Sequence, residues 1–106
     1  MTWMVLFLAG LLEVAWAIGL KYTDSFSKLW PSVFTVIAMV LSVVLLGWVM
    51  KYLPVGTAYA VWVGIGVVGT VILGIVLFSE PVNTVRVVSM ALIVIGIIGL
   101  KLTSSD

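Results

Sequence analysis

Glu13 is the only acidic residue inside any of the long apolar stretches of this chain, and it lies near the middle of the first. In a helix starting near Thr2 or Trp3, a rise of ~1.5 Å per residue places it ~15 Å in. That is about the midplane of a ~30 Å hydrocarbon core. An ionised side chain there costs roughly 2.5–3.5 kcal/mol on insertion scales, so such a residue normally faces a water-filled cavity and binds ions, protons or substrate. A structural glutamate hydrogen-bonded between helices is the competing reading.

Other polar groups recur at helical spacing. Trp16 follows Glu13 by three residues and shares its helix face, and Gly10 lies one turn earlier with Ala9 beside it, small enough to leave room near the carboxylate. In the second apolar segment Met39 and Ser42 form an i, i+3 pair, and Ser42 is the only hydroxyl near that segment's middle. Tyr59 and Trp62 repeat the spacing in the third, with Ala60 between them. If these faces converge, the pocket holds a carboxylate, a hydroxyl, a phenol and two indoles. Those are acceptors for the N–H groups of a cation and π faces for its charge. Each has a plainer reading. A lone membrane hydroxyl often bonds its own backbone, and Tyr59 with Trp62 can be ordinary interhelix packing.

Four apolar segments must position these groups, at roughly 3–20, 32–50, 56–78 and 85–102. Each is long enough to span a bilayer with some tilt. Between them, the stretch from Tyr22 to Pro31 holds Asp24, Ser25, Ser27 and Lys28, and Pro31 suits a helix start. Lys51 to Gly56 contains Pro54 and makes a tight turn, and Ser79 to Thr84 is a polar turn ending in a helix cap. The expected fold is all-α: one membrane domain covering residues 1–106, a four-helix bundle with both termini on one side. Gly64 and Gly66 are candidate hinge positions in the third segment, with close helix contact as the alternative. The fourth segment has Ser89, Gly96 and Gly99 but no ionisable group before Lys101. Small residues let helices approach closely, so this segment reads as an assembly surface. Trp3, Trp30, Trp48 and Tyr52 fall at segment ends, where amphipathic rings sit among headgroups.

Composition agrees. Of 106 residues, 64% are hydrophobic and 8% charged, and the mean hydropathy is +1.40. Soluble domains carry about 25% charged residues, so this is an integral membrane protein. With no histidine and no cysteine, zinc clusters, thiol nucleophiles and histidine bases are excluded. A net charge of +1 gives no nucleic-acid footprint. The first segment lacks a basic region before it and carries a carboxylate at its centre, so it reads as a retained helix rather than a signal peptide. Lys21, Lys28 and Arg86 fall on one side, Lys51 and Lys101 on the other. That balance is too even to fix one orientation, so a partner imposes it or copies insert both ways round.

Taken together, Gly10-Leu11-Leu12-Glu13-Val14-Ala15-Trp16-Ala17, the exit Gly19-Leu20-Lys21-Tyr22, the run Leu53 to Trp62 and Gly96-Ile97-Ile98-Gly99-Leu100-Lys101 resemble the small multidrug resistance transporters, and among them the guanidinium-exporter subtype. Trp16 and Met39 are similar to that branch, where the quaternary-ammonium branch has glycine and tends to have tyrosine. Val63 departs, since members usually place serine or threonine there.

The resemblance implies an antiparallel homodimer in a bacterial inner membrane, with two copies sharing one site. It implies no cofactor, metal or enzymatic reaction. Protons and a guanidinium ion would compete for the paired Glu13 carboxylates, exchange of two conformations would give proton-coupled export, and Ser42, Tyr59 and Trp62 would orient the carboxylates. The first rival is an exporter of hydrophobic quaternary ammonium ions, against which Trp16 argues by taking their space. A regulatory membrane subunit and a passive channel are the others.

Overall fold

Backbone N–H and C=O groups in hydrocarbon must be satisfied within the chain, and apolar segments of this length do so as helices. The computed structural model describes residues 1–103. These form four helices: α1, Thr2–Tyr22; α2, Leu29–Val49; α3, Val55–Phe78; and α4, Thr84–Leu102. All four are long and apolar enough to cross a membrane. At ~1.5 Å per residue, the 21 residues of α1 rise ~32 Å, about the hydrocarbon thickness.

The helix ends have local causes. α2 starts at Leu29, three residues before the expected boundary, with Lys28 as its extended N-cap. Pro31 therefore sits within the first turn, where its missing N–H has no intrahelical partner to lose. Between α1 and α2, the Thr23 hydroxyl donates to Leu20 O at 2.8 Å and accepts from Phe26 N–H at 3.1 Å. It holds a turn in which Asp24, Ser25 and Phe26 all have positive φ. α3 ends at Ser79 in the left-handed region, and α4 starts where Asn83 Oδ1 accepts from Arg86 N–H at 2.9 Å.

α1 is the centre of the bundle, packed against both α2 and α3, while α4 packs against α3. The core gathers Leu6 and Ala9 of α1, Leu46 and Val49 of α2, and Ala58, Val61 and Trp62 of α3. Glycines set the close approaches. A Cβ at Gly19 would overlap the buried Thr35 hydroxyl, one at Gly10 would meet Ile65, and one at Gly69 would meet Val14. Every described residue of α4 keeps some exposure. The Cα envelope measures 43 × 35 × 18 Å.

Candidate functional site

Glu13 leaves α1 toward α3 and lies on Gly66. A Cβ there would overlap the carboxylate and come within 2.9 Å of Glu13 Cγ, so the missing side chain is the seat. Among the described residues, Glu13 Oε1 and Trp16 Nε1 are both buried without a hydrogen-bond partner in the chain. Leaving a buried polar atom unpaired costs about 1–3 kcal/mol. Glu13 and Trp16 both line one cavity of about 300 Å³, with Ala17 of α1 and Gly66, Val67, Thr70 and Val71 of α3. Its wall is almost wholly apolar. A carboxylate oxygen accepts and an indole offers a π face, so the two residues together suit a cation that brings N–H groups.

A second polar chain lies nearby. Trp62 Nε1–H donates to Ser42 Oγ at 3.0 Å, and the Ser42 hydroxyl donates to Ala9 O of α1 at 2.7 Å. Ser42 is fully buried, and its bond runs across to α1 rather than back along α2. The chain ties α1, α2 and α3 together one turn from Glu13.

The remaining predicted residues are placed as follows. Tyr59 stacks obliquely on Trp62, ring centroids 5.6 Å apart, but it is 53% exposed and faces outward from the single chain. Ala60 is also exposed and Met39 half-buried; neither lines the Glu13 cavity within one chain. The space at Gly10 is filled by Ile65, not left beside the carboxylate. Gly64 is covered by Ile97 and Ile93 of α4, and α3 runs unbroken through Gly64 and Gly66. Ser89, Gly96 and Gly99 are exposed on α4, and a Cβ at either glycine would meet open space. Ala17, Thr70 and the seating function of Gly66 escape sequence reasoning. Their only signal is spacing: Ala17 is four residues after Glu13, and Thr70 four after Gly66.

The model of the Small Multidrug Resistance protein family matches residues 1–93. The chain belongs to the small multidrug resistance family. Among similar curated proteins is the "Guanidinium exporter" of Escherichia coli (strain K12), 64% identical over 104 residues, covering 98% of this chain and 99% of that relative. Proteins of the same name from Salmonella typhimurium (strain LT2) and Citrobacter freundii are 60% and 59% identical over the same lengths. Four spanning helices and membership of this transporter family make the chain a multi-pass protein of the bacterial inner membrane.

Proposed function

We propose that this small multidrug resistance protein exports guanidinium in exchange for protons. Two antiparallel copies would share one site built on paired Glu13 carboxylates. The observation that carries the reading is one apolar cavity lined by both Glu13 and Trp16, with a Glu13 carboxylate oxygen that is buried and has no hydrogen-bond partner among the described residues. Guanidinium is planar and offers N–H pairs in a fork that matches a carboxylate. Its charge favours ionised Glu13 and a proton neutralises Glu13, so the two exclude one another. The names of the relatives support the substrate. The cavity wall made only of α1 and α3 supports a second copy as the missing wall. The near balance of basic residues at the two ends supports the antiparallel arrangement. Two conformations of such a pair related by symmetry would alternate access to the one site.

The rival reading is export of hydrophobic quaternary ammonium ions. These have no N–H donors for the carboxylate and need the volume that Trp16 occupies. Transport currents from purified protein in proteoliposomes separate the two. The proposal predicts robust guanidinium current and little with tetrapropylammonium, and the reverse order would establish the rival.

A further inference from the structure

Between α1 and α3, beyond the Glu13 cavity, lies a second and more polar one of about 180 Å³. The two abut at Ala17, Thr70 and Val71, which line both. The outer cavity ends at Lys21, Phe78 and Glu80, where α1 and α3 finish, so it opens at one membrane surface. Glu80 repeats at this mouth what Glu13 does deeper in. A Cβ on Gly74 would overlap its carboxylate, as one on Gly66 would overlap that of Glu13. Ser79 turns the chain back in the left-handed region, and Glu80 N–H donates to Gly74 O at 3.3 Å. The two glycines are eight residues apart on α3, ~12 Å along one helix.

The group seated on Glu80 carries the substrate's own chemistry. Arg86 Nη2 lies 3.5 Å from Glu80 Oε1, a guanidinium on a carboxylate. Lys21, also at the mouth, places its ammonium over the Phe78 ring instead, 5.0 Å from the centroid. The side chains of the pair are partly exposed, Arg86 31% and Glu80 42%, and exposed ion pairs are weak. A free guanidinium ion can therefore take the place of the Arg86 fork at little cost.

We propose that Glu80 is the outer docking carboxylate for the transported cation, with the Arg86 side chain as its internal competitor. The inference rests on Glu13 being the transport site. A cation arriving from water replaces Arg86 on Glu80, then moves inward past Thr70 to Glu13. A negative group at the mouth of a low-dielectric cleft raises the local cation concentration and the rate of capture. In an antiparallel pair, each copy would supply the mouth on one membrane face. The competing role is a clamp that merely holds the turn between α3 and α4. A clamp is damaged alike by loss of either partner, whereas docking gives the two losses opposite signs.

The test is guanidinium current in proteoliposomes at low ionic strength, read as kcat and kcat/KM, with equilibrium affinity measured alongside. Glu80→Gln should lower kcat/KM about tenfold, with kcat and equilibrium affinity within about twofold of wild type. Arg86→Gln should raise kcat/KM about two- to fivefold, the weight of one exposed ion pair. Lys28→Gln removes a charge from the same surface at a residue that lines neither cavity. It should leave all three quantities within about twofold, which controls for surface potential and insertion bias. An unchanged kcat/KM in Glu80→Gln, or a fall in its equilibrium affinity as large as that in kcat/KM, would overturn the docking role. So would a loss in Arg86→Gln, or a gain in Lys28→Gln as large as that in Arg86→Gln. A wild type that carries no guanidinium current would overturn the transport reading itself, and this inference with it.

Discussion

At Gly66 the absence of a side chain is what lets the Glu13 carboxylate lie on the backbone of α3. Two glycines two residues apart therefore make a contrast. Gly66→Ala should displace the carboxylate and lower guanidinium transport on the order of 10–100-fold, the scale on which misplacing a reacting group costs. Gly64→Ala meets the far end of Ile97 instead. It should cost about 1 kcal/mol of stability by overpacking and leave transport within a few-fold. Equal transport losses from both would favour a hinge at these glycines over a seat at Gly66. Ser42→Ala leaves the Trp62 N–H unpaired in a dry core and removes the tie from α2 to the Ala9 carbonyl of α1. Interhelix hydrogen bonds in membranes are worth less than in water-soluble cores, so a loss of about 1 kcal/mol is expected in an unfolding titration. Trp16→Gly should reduce guanidinium current and open room for tetrapropylammonium. An unchanged guanidinium current would remove Trp16 from the pocket. The pairing of Glu13 with Trp16 was legible in the sequence, because both lie on one helix and the 3.6-residue period fixes their shared face. The Ser42 chain was legible only as a set of polar types. Its partners lie 33 and 20 residues away, and no local rule chooses the Ala9 carbonyl over the serine's own helix. The seat at Gly66 was invisible, since a glycine's sequence signal is the same for a hinge, a helix contact and a carboxylate rest.

Among the elements, the helices themselves were the most legible feature, because a hydrocarbon solvent leaves uninterrupted apolar segments no other structure. Their ends were less so. Pro31 marks the start of α2 only to within its first turn, which tolerates proline at more than one position. α4 is the most exposed element, with none of its described residues buried. Its side toward α3 carries Ile93 and Ile97, which cover Gly64, while Ser89, Gly96 and Gly99 remain exposed. Gly96→Leu should leave the single chain folded, because the added side chain meets open space there. It should weaken association of two copies at least about tenfold, since small residues are what let membrane helices approach. Single-molecule photobleaching in liposomes counts the copies. A dimer fraction unchanged at high dilution would move the interface to another face.

For the whole molecule, the Glu13 cavity takes its walls from α1 and α3 alone, so the proposed function uses a second copy as the remaining wall, and the even charge balance favours an inverted one. Two or three lysines added to the loops bearing Lys21, Lys28 and Arg86 should force one orientation and abolish most transport. A copy biased the other way should restore it when co-expressed. Full transport by the biased copy alone would argue for a parallel pair. The central claim, however, is that protons and guanidinium share one pair of carboxylates. Guanidinium stays cationic across the neutral range, so in the proposed competition each proton displaced on binding weakens apparent affinity as pH falls, by up to about tenfold per pH unit. The decisive measurement is guanidinium affinity of the purified protein between about pH 6 and 9, for wild type and for Glu13→Gln. The account predicts an affinity that falls steadily with decreasing pH in wild type and no measurable binding in the variant. A wild-type affinity independent of pH, or tight binding by Glu13→Gln, would contradict it.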